Sequence, residues 1–170
     1  VTTTVKNFHL KLDAAGKGLY VNCGFYGGVI PGNGNELEGL VSEGVFGLKA
    51  FLVHSGIDEF PNAQPEDVRH ALNILSKDEL PLLVHCELDS PGFNTELKAN
   101  PTSYQAYLKS RPKEWEDKAI HDMIGLSKET NSRLHVVHLS SADSIPQLEK
   151  AISEKIKISV ETCSHYLFFN

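Results

Sequence analysis

Three side chains in this sequence could combine in one kind of chemistry. Lys49 sits in the run Gly44-Val45-Phe46-Gly47-Leu48-Lys49-Ala50-Phe51-Leu52, where the other eight residues are apolar or glycine. His85 lies in Pro81-Leu82-Leu83-Val84-His85-Cys86-Glu87, and His138 closes Leu134-His135-Val136-Val137-His138. An ammonium among hydrocarbon side chains cannot stay charged and alone, because its burial costs many kcal/mol or moves its pKa by several units. It requires a partner or a chemical modification; otherwise Lys49 is a strand-end lysine that reaches solvent or meets one carboxylate. Two imidazoles on neighbouring strands form a natural ligand pair for a divalent transition metal, zinc above all. Either histidine alone reads as a satisfied buried imidazole. Both together, beside such a lysine, point to a metal centre. A catalytic zinc takes three protein ligands and a water, so an oxygen ligand is still required. Glu87 and Glu161 are candidates, and Glu161 could equally orient a ligand from behind.

The elements that must position these residues alternate along the chain. Helical spacing of Val5, Phe8 and Leu12 predicts a helix within residues 1–15, stopped at Gly16-Lys17-Gly18. Strand-like runs follow at Leu19–Phe25 (leading into Gly27-Gly28), at Gly44–Leu52, at Pro81–Glu87, at Leu134–Ser140 and at Ile158–Tyr166. Between them lie helical patterns at Glu36–Ser42, Glu66–Ser76, Tyr104–Lys109, Trp115–Thr130 and Ala142–Lys155. Leu88 to Pro112 is the longest irregular stretch, and loops of that length in compact domains are commonly functional. Strands alternating with helices indicate an α/β fold with a parallel sheet. Ligands of such sheets bind at the C-terminal ends of the strands, where Lys49, His85 and His138 fall. Counting by twos puts Val45, Gly47 and Lys49 on one face, likewise Leu83 and His85, and likewise Leu134, Val136 and His138. His135 then falls on the opposite face, as a core or helix-contacting histidine.

Composition excludes several functions. With 22 acidic against 16 basic residues and a net charge of −6, neither nucleic acid nor an anionic membrane surface is an expected partner. No apolar run approaches the roughly 20 residues of a membrane span. Glycine-rich nucleotide-binding patterns are absent from the sequence. Cys23, Cys86 and Cys163 lie in apolar runs without a Cys-x-x-Cys pair, so each is expected to be a small buried hydrophobe in a reducing compartment. A cytoplasmic location is the expectation, although Val1 is not an initiator methionine and no targeting signal can be read.

The ordered series Gly-Leu-Lys-Ala-Phe-Leu, Leu-Leu-Val-His-Cys-Glu, Leu-His-Val-Val-His-Leu-Ser-Ser and Val-Glu-Thr-Cys-Ser-His-Tyr-Leu resembles the cyclic-amidohydrolase branch of the amidohydrolase superfamily. Within that branch it is most similar to the allantoinase family. Phe25–Asn33, Ser55–Pro61 and Ser110-Arg111-Pro112 with Trp115-Glu116 support the same likeness. The resemblance implies a (β/α)8 barrel holding two divalent metal ions, zinc in the first instance, bridged by a lysine carbamylated on its ε-nitrogen. Lys49 matches that lysine, and His85 and His138 match the two histidines of the second metal. The first metal's His-x-His pair and an aspartate, the general base of the family, have no counterpart here. The chain is accordingly expected to be one internal segment of the barrel domain, about strands 3 to 7, lacking the first two strands and the eighth.

Leu48, Cys86 and Ser164 depart from the family's usual phenylalanine, alanine and proline. A tyrosine of the related hydantoinases corresponds to His54, which fits an allantoinase better. His54 and His165 are the candidate substrate-binding residues, with an exposed loop position or a strand cap as the other readings. The resemblance implies a homo-oligomeric enzyme that hydrolyses a small cyclic ureide, allantoin, to allantoate. A dihydropyrimidinase or hydantoinase acting on another ring is the neighbouring alternative. A non-catalytic scaffold relative is the rival from another class, though such relatives typically lose the lysine and histidines kept here.

Overall fold

Apolar side chains at every second strand position build the sheet from one side. The computed structural model describes residues 1–16, 18–88 and 99–168. Five strands, β1 (Gly27–Gly28), β2 (Leu48–Phe51), β3 (Pro81–His85), β4 (Arg133–Val136) and β5 (Ile158–Val160), pair in parallel in sequence order. Leu48, Leu82, Val84, Leu134 and Val136 are almost wholly buried against the helices, each contributing about 1.5–3 kcal/mol. The register aligns Lys49 with Leu83, Phe51 with His85, and Leu83 with His135. Residues in line across parallel strands share a face, so Lys49, Phe51, Leu83, His85 and His135 form the inner surface. All five are only half-buried.

The described helices are α1 (Val5–Ala15), α2 (Gly34–Ser42), α3 (Pro65–Leu75), α4 (Tyr104–Lys109), α5 (Lys113–Thr130) and α6 (Ile145–Ser153). Each follows from local chemistry. Thr4 caps α1 by accepting from the Asn7 amide at 3.1 Å. Pro65 opens α3 inside a Gln64–Asp67 capping box. Val68, Ala71, Leu72 and Leu75 then form its buried stripe. Asn131, at φ 52°, ends α5 in the left-handed region that asparagine tolerates. Pro146 stands in the first turn of α6, behind a 3₁₀ turn at Ala142–Ser144.

Several expectations change. The run Leu19–Phe25 is not a strand: Tyr20 and Val21 are exposed, and pairing begins only at Gly27. Pairing stops at His85 rather than Glu87, and at Val136 rather than Ser140. The last strand ends at Val160, and Ser164–Leu167 is a 3₁₀ turn. Cys86 is buried as expected, but Cys23 is exposed and Cys163 intermediate. Residues 89–98 of the expected long loop lie outside the described residues. No helix among the described residues is long and apolar enough to cross a membrane.

Gly47 sets the entry into β2. Its φ of 152° lies in the region that favours glycine, and a Cβ there would overlap the Pro81 carbonyl oxygen. Gly47→Ala should therefore destabilise the protein by about 1–3 kcal/mol, read as a lower midpoint in denaturant unfolding.

Candidate functional site

Lys49 occupies the middle of β2 and points to the inner face, with its Nζ 4.7 Å from the Phe51 ring centroid. Its Nζ is buried and lacks a hydrogen-bond partner. Burial pulls its pKa down to about 8, which the nearby Cys86 and Glu161 counter only in part. Phe51 in turn stacks on His85, with ring centroids 5.3 Å apart. The lysine, the phenylalanine and the histidine thus line one inner face at the C-terminal end of the sheet.

His138 arrives by a different route from the one its sequence position implies. Leu134 and Val136 face the helices, so His138 does not share their face by alternation. Its backbone adopts φ 43° after β4 has ended, and this turn brings its Nε2 to 2.9 Å from His85 Nδ1. His135 is also corrected: it lies on the inner face, 2.9 Å from Ser159 Oγ and 3.4 Å from Glu161. It is not a helix-contacting histidine. Burial lowers the His138 pKa, and His85 and Lys49 reinforce the shift. A neutral imidazole is the form that binds metals.

Two carboxylates hold this geometry, and sequence reasoning missed what grips them. Glu87 accepts from His85 Nε2 at 3.0 Å and from Arg111 Nε and Nη2 at 2.7 and 2.5 Å. Burial pushes the Glu87 carboxyl up, but the hydrogen bonds from His85 and Arg111 outweigh it and bring the pKa to about 2. Glu87 is thus committed to orienting His85 and is not a free oxygen ligand. Glu116, in the first turn of α5, accepts from the Ser140 and Ser141 amides and from Ser140 Oγ, at 2.8, 2.9 and 2.5 Å. Those bonds anchor the turn that carries His138. The only sequence signal for either device was the Ser110–Glu116 motif, which carries both Arg111 and Glu116.

His85, Glu87, Tyr107, Arg111, His138 and Tyr166 line one cavity of about 430 Å³. A larger cleft of about 610 Å³ lies on the flank of α3 and α5, away from the histidine pair. His54 lies on the exposed loop after β2, accepting at Nδ1 from the Gly56 amide. His165 is exposed and packs edge-on against Tyr166.

The residues present fit part of a metal centre. Two nitrogens on one tetrahedral zinc stand about 3.3 Å apart, given Zn–N distances of about 2.0–2.1 Å. The observed 2.9 Å needs only a small side-chain adjustment to admit an ion. Among the described residues no cluster of three or more His, Cys, Asp or Glu could hold a metal. The Lys49 amine, buried without a hydrogen-bond partner, lies on the same inner face as His85.

No family model matches the chain. It is 39% identical over 166 residues to an allantoinase of Streptomyces avermitilis, covering 98% of this chain and 37% of the relative. The mitochondrial allantoinase of Aquarana catesbeiana is 41% identical over 166 residues, with 98% and 34% covered. The fold superimposes on the L-hydantoinase (dihydropyrimidinase) from Arthrobacter aurescens with a TM-score of 0.92 at 28% identity, covering 99% of this chain and 38% of that one. The chain spans little more than a third of the length of each.

Two outcomes test the site. In metal-free protein, Lys49 holds its proton to about pH 8 when folded and to about 10.5 when unfolded. Between those values the unfolded chain binds more protons, so stability rises with pH. Wild type should gain on Lys49→Met across that window in denaturant titrations under CO₂-free conditions, and a constant difference would contradict a buried orphan amine. Glu116→Ala should cost about 1–3 kcal/mol and speed amide exchange at Ser140 and Ser141.

Proposed function

We infer that this chain, a relative of the allantoinases along 98–99% of its own length, is one stretch of a metal-dependent cyclic amidohydrolase barrel. We propose that the whole protein hydrolyses the cyclic amide bond of allantoin to give allantoate. The observation that carries the reading is the Lys49 amine, buried against the Phe51 ring without a hydrogen-bond partner, on the face that also bears His85. Attack of the neutral amine on CO₂, with loss of a proton, makes an N–C bond and leaves a carbamate. That step turns a misplaced cation into an oxygen ligand and removes the burial cost. The depressed Lys49 pKa raises the share of neutral amine near physiological pH.

Carbamylated Lys49, His85 and His138 would hold divalent ions, with zinc, iron, cobalt or manganese all suited to such a set. The remaining ligands and the general base are proposed to come from the rest of the whole protein. Bound ions supply an acidified water as nucleophile and polarise the amide carbonyl. The chain's own residues orient its share of the ligands. His85 offers Nδ1 and His138 offers Nε2, because Glu87 and the Glu116-anchored turn hold both rings. His54 and His165, on loops beyond the C-terminal ends of β2 and β5, are proposed to contact substrate. The net charge of −6 suits a small-molecule substrate rather than nucleic acid.

One observation favours a second reading: the Arthrobacter structure matched at a TM-score of 0.92 is an L-hydantoinase (dihydropyrimidinase). Turnover of allantoin against dihydrouracil by the full-length protein separates the two, and allantoin is expected to be the better substrate. Retention of Lys49, His85 and His138 argues against a non-catalytic scaffold. In the full-length protein, His85→Ala or His138→Ala should lower the metal count from two to one and reduce allantoin turnover more than about a hundredfold, beyond the usual loss for outer-shell groups. Two metals retained in either variant would refute the assignment.

A further inference from the structure

Resting on the metal-centre reading above, we propose that Arg111 is a positioning residue for that centre. Acting through Glu87, it fixes which nitrogen of His85 carries the proton and therefore which one faces the metal. Glu87 leaves the sheet two residues after His85, and its side chain is only 15% exposed. Arg111 comes from the turn between α4 and α5, 24 residues away, and grips both carboxylate oxygens through Nε and Nη2. A carboxylate held in such a fork is ionised and can only accept. Its contact with His85 Nε2 at 3.0 Å therefore requires Nε2 to donate. In a neutral imidazole this leaves the lone pair on Nδ1, the atom facing His138 Nε2 across 2.9 Å. The guanidinium thus selects the tautomer without touching the ring.

A surface ion pair would not do this. Pairs exposed at both ends are weak, and although Arg111 is 41% exposed, Glu87 is only 15% exposed. Here the acceptor is sheltered and shared between one guanidinium and one imidazole, and a pair serving only to tether α4 would need no contact with His85. Without Arg111, Glu87 can turn toward water and His85 loses the acceptor that favours protonation at Nε2.

The test uses full-length protein, stripped of metal and titrated with zinc against a competing chelator. Arg111→Gln and Glu87→Gln should each weaken zinc binding about 10- to 100-fold, the range for groups behind a ligating histidine. The double variant should be no worse than the poorer single one, because both act along one chain of contacts. Arg111→Lys, which keeps the charge but loses the fork, should fall between. The ¹⁵N shifts of His85 in metal-free protein should report Nε2–H in wild type and a mixture of tautomers in Arg111→Gln, or in Arg111→Lys if the former does not fold. Unchanged affinity in Arg111→Gln, additive losses in the double variant, or an unaltered tautomer would overturn the inference. A wild type that takes up no zinc would overturn the metal reading instead.

Discussion

A buried amine without a hydrogen-bond partner is the constraint on which the rest of this structure depends. Lys49 lies in the middle of β2, between the glycines of β1 and the leucines of β3, and among the described residues it has the Phe51 ring beside it but no hydrogen-bond acceptor. A fold tolerates such a group in two ways: it lowers the pKa, or it lets chemistry change the charge. The first is visible in the shift to about 8. The second needs a cation nearby to receive the anion that results, and the paired imidazoles of His85 and His138 stand on the same edge of the sheet. In the proposed metal centre the lysine and the histidines explain one another. Neither feature alone would distinguish a reactive site from a satisfied core.

The scaffold divides the work between strands and carboxylates. Parallel pairing places Lys49 and His85 on the inner face without further help, since their strands run in register and their alternate neighbours are anchored against helices. Pairing cannot place His138, which lies beyond the end of β4. A left-handed residue outside glycine and asparagine is uncommon and persists only where its surroundings hold it. Glu116 supplies that hold by capturing the two amides and the hydroxyl just after His138. Glu87 and Arg111 do the corresponding task for the ring of His85. Both devices come from the start of α5 or the turn before it, so that one segment supports both imidazoles.

Much of this was legible in the residues. The α/β alternation, the five parallel strands, α4 at Tyr104–Lys109 and the stripe on α3 follow from periodicity and caps, and the Lys49–His85 face follows from counting by twos. Periodicity failed where it was carried past the end of pairing. Leu134, Val136 and His138 have the spacing of one face, but the ladder stops at Val136 and the next turn reverses the outcome. The same error placed His135 against the helices. The run Leu19–Phe25 misled for the opposite reason: it has strand composition, yet among the described residues only the Phe25 carbonyl, which accepts from the Phe46 amide, meets the neighbouring segment before the ladder starts at Gly27. Composition states a preference, and only a partner strand realises it. The grips of Arg111 on Glu87 and of Glu116 on Ser140 span about two dozen residues each, and no local pattern encodes such pairs.

The inner face also shows how the fold of this chain stands without the rest of the proposed site. In closed barrels the inward side chains meet others from across the axis, whereas here Leu83, His85, Phe51 and His135 remain half-buried, with Phe60 packed edge-on against Phe51. The hydrophobic layer beneath β2 to β4 is nonetheless closed, because Leu48, Leu82, Val84, Leu134 and Val136 are buried, while Val160 at the β5 edge is exposed. The positions of Lys49 and His85 are thus fixed by packing beneath the sheet, whatever lies above it, and His138 follows through the anchored turn. In the proposed reading, the remainder of the metal set and the base would come from above. A site assembled in this way has its ligand geometry set by the scaffold and its reactivity set by what closes over it.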